Sequence, residues 1–349
     1  MPDTFLIHHL RFNVEVEKTI IVDAFKGSAL RGAWQSHLRT LYCARAADAD
    51  PLHQAMCPVC FLLSRETGSG DDRRPYAFEP PLTEQTAFQP GERFQFGISI
   101  FGSQTVQFLP YIVLAVGQMG RTQGLGRFIH GGKRGTFRLV GIEEINPLTG
   151  AQKVLLEEGG AMVHMPAHPV TGEQIERVAS QWPAHGSLLG LQFLTPTRIV
   201  DQERLVHRPH FAPLFARLLD RITALQRQFA EHPPLPWEEK RALLALADQV
   251  ELVVDQTRWW DVQGRSTRLG RRQPLGGYVG RAVYRSPDWK PLLPWLLWGQ
   301  STHLGKNVVK GAGWYEVATG AADTLTTDTF RRHQWPSSRT SSSMNAAHI

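Results

Sequence analysis

Leu293-Pro294-Trp295, an apolar run, Gly299-Gln300 and then Gly311-Ala312-Gly313-Trp314 form the stretch that decides the fold. The same outline occurs earlier as Leu109-Pro110-Tyr111, an apolar run, Gly117-Gln118 and Gly124-Leu125-Gly126-Arg127. In both, a helix opening near a proline runs into a glycine-rich loop, and the loop feeds a final strand. Self-similarity of this kind marks one structural unit built twice. Outward from these anchors, strands and helices interleave. Phe5 to Glu17 has strand period, and Ser28 is placed to cap a helix reaching about Cys43. Arg93 to Phe101 and Phe137 to Ile145 read as strands with a helix, Val106 to Gln118, between them. The second half offers a strand at Leu188 to Phe193 and helices at Phe211 to Phe229 and Trp237 to Val254. Trp259 to Gly264 and Tyr278 to Arg285 follow as strands, then a helix from Trp289 to Trp298 and a closing strand from Trp314 to Val317. This order predicts an α+β protein built on antiparallel sheets. The expected domains are residues 1–170, with an irregular cysteine-containing insertion over 44–81, and residues 187–317. A Ser- and Thr-rich tail over 318–349 lacks the apolar surface to order itself.

A chain of 349 residues suits two domains of about 150 residues each. At 42% hydrophobic it can bury two cores. The formal charge of +6 favours an acidic partner without separating nucleic acid from an acidic metabolite. Three cysteines do not make a disulfide framework. The first strand starts without a basic n-region and apolar h-region, so no secretory leader is expected. The longest apolar runs, Tyr111 to Val116 and Leu292 to Trp298, fall short of the roughly 20 residues a membrane span needs. The expectation is a cytoplasmic protein with no membrane partner.

Glycines permit positive φ, so successive backbone N–H groups of such a loop can turn into one concavity and hold phosphate oxygens. In the second loop Gly305, Gly311 and Gly313 supply the bends, Lys306 and Lys310 add charge, and His303 adds a titratable group. The alternative is a pair of tight connections with no ligand. Two familiar phosphate motifs are excluded. Five residues separate Gly299 from Gly305 where a P-loop has four, and Asn307 stands where the magnesium-binding hydroxyl would be. A dinucleotide fingerprint opens a helix, whereas this loop opens a strand.

Several segments together resemble the CRISPR-associated endoribonucleases of the RAMP superfamily that cut precursor CRISPR RNA within its repeats. They are Gly27-Ser28-Ala29-Leu30-Arg31-Gly32-Ala33, Cys57-Pro58-Val59-Cys60, and Pro80-Pro81 followed by Gly91-Glu92-Arg93-Phe94. Gly124-Leu125-Gly126-Arg127, Leu194-Thr195-Pro196-Thr197-Arg198 and Gly276-Gly277-Tyr278-Val279-Gly280 continue the series. His303-Leu304-Gly305-Lys306 leading to Gly311-Ala312-Gly313-Trp314-Tyr315 completes it, so the likeness spans residues 5 to 317. The resemblance implies two tandem ferredoxin-like (RRM-like) domains. It also implies cleavage that needs no metal cofactor and leaves a 5′-hydroxyl and a 2′,3′-cyclic phosphate. Repeat RNA, and other CRISPR effector subunits, would be the partners. A silent member that only holds guide RNA is the alternative, and a zinc-stabilised protein contacting DNA or protein is a third.

Cleavage by the RNA's own 2′-hydroxyl asks for proton transfer and for stabilisation of a charged phosphorane. Histidine suits the first, because its unperturbed pKa of about 6.5 lies near working pH. Cations and backbone N–H groups suit the second. The resemblance puts a catalytic histidine in or just after the first helix, where His37 stands, and matches His303 to the histidine before the C-terminal Gly-Lys. His37 also borders the apolar stripe of Ala33 and Leu41, so a packed, hydrogen-bonded core histidine is the competing reading. Lys306, Lys26 and Tyr42 are further candidates near the chemistry, against the plain alternative of solvated side chains.

Arg258-Trp259, Arg265, Arg268, Arg271 and Arg272 read as a basic hairpin for RNA, since arginine forks pair with phosphates and aromatic faces stack on bases. Trp259 is equally open to a core role. Arg127, Lys133 and Arg134 after the first loop extend the path. Finally, Cys43, His53, Cys57 and Cys60 have the residue types and spacing for a structural zinc site.

Overall fold

The computed structural model describes residues 5–43, 50–63, 73–182, 188–266 and 271–319. The tail assigned to 318–349 lies outside them from 320 onward, as does Arg268.

The N-terminal unit runs β1 (Ile7–Val16), α1 (Gly27–Tyr42), α2 (Pro51–Met56), α3 (Pro58–Leu63), β2 (Tyr76–Glu79), β3 (Arg93–Phe101), α4 (Leu109–Gln118), β4 (Phe137–Ile145), β5 (Gln152–Leu156) and α5 (Gly172–Ser180). Its five strands lie in the order β2-β3-β1-β4-β5, every neighbouring pair antiparallel. The C-terminal unit runs β6 (Leu188–Thr197), α6 (Phe211–Ala230), α7 (Trp237–Ala247), β7 (Glu251–Trp260), β8 (Gly277–Arg285), α8 (Leu293–Thr302) and β9 (Tyr315–Thr319). Its strands lie in the order β7-β8-β6-β9, again antiparallel throughout. With β5 set aside, the two orders coincide: second strand, third, first, fourth. That is the ferredoxin-like arrangement, present twice, as expected.

Three local readings are corrected. Tyr76–Glu79 is a sheet strand and not part of an irregular insertion over 44–81; prolines on both sides, Pro75 and Pro80, disguise it. Helix α1 starts at Gly27 after Lys26, and Ser28 sits inside it with a buried hydroxyl that caps nothing. The helix expected over Trp237 to Val254 stops at Ala247, because the β-branched Val253-Val254 pair belongs to β7.

The two units share one continuous apolar core. Phe5 packs on Trp298 at 5.0 Å between ring centroids, and Phe61 on α3 meets Phe229 on α6 at 6.2 Å. Two separate cores are therefore not what forms. The seam between the units is part of the interior, and this places the second glycine loop.

Candidate nucleic-acid interface

Helix α8 ends at His303, whose φ of +59° turns the chain into the loop. The base of the loop is closed by Leu304 N–H donating to Gly313 O at 2.9 Å. Lys306 N–H donates to Arg198 O, Gly313 N–H to Pro196 O and Trp314 N–H to the Thr195 hydroxyl, so the end of β6 carries one side. Lys310 and Gly311 N–H groups bond back to Asn307 and Val308. The amides of Gly311 and Gly313 are thus spent within the fold and are not free to cradle phosphate. Lys306 and Lys310 supply the charge of the loop.

Its far side leans on the other unit. Gly311, at φ +83°, leaves no space: a Cβ there would stand 2.5 Å from Pro80 Cδ and 2.9 Å from Phe78 O. A Cβ on Gly27, the first residue of α1, would stand 1.7 Å from Lys310 O. Ala312 joins Phe25, Val262 and Leu275 in a small apolar cluster, with Trp260 edge-on to Phe25. Glycine is needed at these points so that two backbones from different domains can touch.

That contact gathers cations. Burial lowers the Lys310 pKa, and the neighbouring charges of Arg31 on α1 and Arg74 before β2 lower it further. The Arg31 Nε is buried with no hydrogen-bond partner among the described residues. Lys310 Nζ donates to Gln273 Oε1 at 3.2 Å, and Lys306 is exposed beside it. Like charges near one another in a partly desolvated seam repel, and an anion placed among them would ease that repulsion. Arg31 and Arg74 were not singled out from sequence. Arg31 lies in the quoted Gly27–Ala33 segment, but its proximity to Lys310 exists only after folding.

The two candidate histidines are placed differently from expectation. His303 is fully buried, its ring parallel to Trp314 at 5.9 Å. Burial, opposed by Glu79 and reinforced by Arg221 and His9, brings its pKa to about 3. It is neutral at working pH and touches no open surface, so its assignment to substrate is corrected. His37 is 3% exposed, and burial lowers its pKa as well. Neither of its ring nitrogens has a partner among the described residues, unlike the hydrogen-bonded core histidine of the competing reading. Lys26 is also buried, its ammonium donating to Ala24 O at 2.9 Å and Thr83 O at 2.6 Å, with a pKa lowered to about 8 by burial. It pins the approach to α1. Tyr42 packs edge-on to Tyr111 at 5.5 Å.

The arginine-rich segment forms a hairpin, Gln263–Ser266 against Arg271–Pro274, in which Arg265 pairs with Arg272 in register. Arg258 is exposed on β7. Trp259 is half-buried, with the His207 ring tilted against it at 4.7 Å and the Arg198 guanidinium 6.0 Å from its ring centre. Near the first loop, Arg127 is ion-paired with Asp23, Arg134 lies 4.5 Å from the Phe128 ring, and Lys133 is exposed.

The adjacent His8 and His9, which carried no signal in the sequence, each find a carboxylate. His8 Nδ1 meets Glu144 Oε1 at 2.5 Å. His9 Nδ1 meets Glu79 Oε1 at 2.6 Å, and its Nε2 meets Ser301 Oγ on α8 at 2.9 Å. Ser99 donates to the same Glu79 oxygen at 2.5 Å. Burial would raise the Glu79 pKa, but His9, His303 and Ser99 outweigh it and hold the carboxyl at about 2. This network latches the N-terminal sheet to the C-terminal domain directly behind the loop. At the far end of α1, Cys43, His53, Cys57 and Cys60 are gathered into one cluster.

Comparison with known proteins follows the two units. Residues 5–168 match a family of N-terminal domains named AF_1859_N, and residues 191–315 match the family described as CRISPR-associated endoribonuclease Cas6. No curated protein matches. Among solved structures, a Cas6 product complex is 15% identical with a TM-score of 0.56, covering 89% of this chain and 100% of that one. Thermus thermophilus Cas6 is 14% identical with a TM-score of 0.54, covering 91% and 100%. A partial Cas6-RT-Cas1–Cas2 complex is 12% identical with a TM-score of 0.55, covering 92% of this chain and 47% of that one. At these identities the likeness is one of fold.

Proposed function

We propose that this chain, whose residues 191–315 match the family described as CRISPR-associated endoribonuclease Cas6, cuts precursor CRISPR RNA within its repeats by attack of the RNA's own 2′-hydroxyl. The reaction uses no metal and leaves a 5′-hydroxyl and a 2′,3′-cyclic phosphate. The observation that carries this reading is the seam itself: the glycine-rich loop seated on the first turn of α1, with Lys310, Arg31 and Arg74 drawn together there.

The RNA backbone lies along that seam. Lys310 and Arg31 neutralise the phosphate and then the phosphorane, whose extra charge makes the same contacts stronger at the transition state. Lys306 and Arg258, both exposed, extend the cationic track. Trp259, braced between His207 and Arg198, offers one remaining ring edge or face to a base. His37 is the proton-transfer group. Its two buried nitrogens have no hydrogen-bond partner among the described residues; those of His303 share this, so it is the resemblance, which puts the catalytic histidine in or just after the first helix, that favours His37. Its lowered pKa keeps it neutral, the form a general base requires. Other CRISPR proteins are the further partners proposed.

One observation favours a second reading. His37 and His303 are both buried, which fits a subunit that grips guide RNA without cutting it. Incubating the protein with repeat RNA in EDTA, followed by end-group analysis, separates the two. Cleavage with the stated ends, lost in His37→Ala, supports the enzyme. Tight binding with intact RNA at all protein excesses supports the silent subunit.

A further inference from the structure

Cys43 is the C-cap of α1, His53 lies on α2, Cys57 caps the end of α2, and Cys60 lies on α3. One donor atom from each falls within 4.8 Å of the others. Cys43 Sγ is 3.7 Å from Cys60 Sγ, and His53 Nε2 is 3.4 Å from Cys43 Sγ and 3.3 Å from Cys60 Sγ. A tetrahedral zinc with Zn–S of about 2.3 Å and Zn–N of about 2.0 Å has edges of about 3.7 Å between sulfurs and about 3.5 Å between sulfur and nitrogen. The gap between the two sulfurs is also far too long for a disulfide, whose S–S bond is about 2.05 Å. We infer that Cys43, His53, Cys57 and Cys60 form a closed Cys₃His site for one zinc ion that fastens α3 to the end of α1.

The local fold is built to present these donors. Asp50 caps α2 by accepting from Leu52 N–H at 3.0 Å. Cys57 N–H donates to His53 O at 2.8 Å, and Phe61 N–H to Cys57 O at 2.9 Å, which fixes the turn between the two short helices. Such six-residue helices are too short to hold themselves. Yet α3 is buried from Val59 to Leu63, and its Phe61 packs on Phe108 of the N-terminal unit and Phe229 of the C-terminal one. The ion's place is therefore structural. It holds a wedge between the domains and anchors the far end of the helix that begins with Gly27 and Arg31. Four protein donors leave no open position for substrate.

The test uses the full chain purified without chelator. Plasma mass spectrometry is expected to find one zinc per chain. Cobalt substitution is expected to give thiolate charge-transfer bands and the visible d–d bands of a tetrahedral site. Cys57→Ser should weaken zinc affinity at least tenfold in competition with a chromophoric chelator, and Cys57→His should recover most of it. If the variants do not fold, the same competition on the unaltered protein, followed by hydrogen exchange, decides. Stripping the ion should raise exchange in 38–43 and 58–63 before the sheets. Folded protein with substoichiometric zinc and no cobalt spectrum, or with a Cys43–Cys60 disulfide by intact mass, overturns the assignment.

Discussion

The two glycine loops start alike and end differently. After α4 the chain passes through a wide helical turn, Met119–Gln123, and then forms a hairpin of its own, Leu125–Ile129 with Lys133–Gly135. That hairpin folds back on its own domain: a Cβ on Gly126 would stand 2.1 Å from Ile21 O, and one on Gly135 2.1 Å from Thr19 O. After α8 the loop instead crosses to the other domain, where Gly311 meets Pro80 and Lys310 meets Gly27. Glycine makes a close backbone approach possible in both. Only the second approach joins two domains and gathers cations at the join, so a repeated motif has produced one packing device and one binding device.

The sharpest way to break this comparison is Gly27→Ala. Its methyl would collide with Lys310 O and force the seam apart, so repeat-RNA affinity should fall at least tenfold in equilibrium binding. Gly126→Ala should destabilise the fold by at least about 1–3 kcal/mol, through strain at positive φ joined by the collision with Ile21 O, and leave the affinity of the folded fraction alone. Equal losses of affinity in both would erase the distinction.

Charge comes next. Arg31→Gln and Lys310→Gln should each weaken binding several-fold and lower the slope of log K against log salt by about 0.7 per phosphate contact removed. The double variant should show both losses.

The latch behind the second loop gives a pH dependence that the first loop lacks. His303 has a folded pKa near 3, below its unfolded value, so it takes up a proton more readily when unfolded. Stability should fall as pH drops from about 6.5 towards 3. Glu79, held at about 2, adds a further loss as pH falls through the range from about 4.5 to 2, since its charged form is the one the fold stabilises. His303→Asn tolerates the positive φ and removes the upper part of that window; denaturant midpoints at pH 7, 5 and 4 measure it.

The smallest effect belongs to Arg127→Gln. Its partner Asp23 is exposed, and such pairs contribute about 0–1 kcal/mol. Stability should change by no more than about 1 kcal/mol and RNA affinity by no more than twofold.

Much of this was legible in the chain. Arg93–Phe101 and Phe137–Ile145 emerge with the boundaries read for them, because aromatic and β-branched residues between turn signals leave little choice. The cysteine and histidine spacing was legible for the same local reason: all four donors lie within eighteen positions, and short helices bring them together. What escaped depends on contacts between distant segments. Lys310 reaches Arg31 only because two domains share a core. His303 looked available beside Gly-Lys, and nothing in its neighbours tells that Trp314 and the N-terminal sheet would cover it. His9 looked uninformative until β2 delivered Glu79 and α8 delivered Ser301.

The most direct measurement is zero-length photo-cross-linking of repeat RNA to the unaltered protein, with the attached peptides identified by mass spectrometry. Adducts are expected in residues 24–31, 73–81 and 303–314, on both sides of the seam. Adducts confined to 119–135, around the first glycine loop, would contradict this.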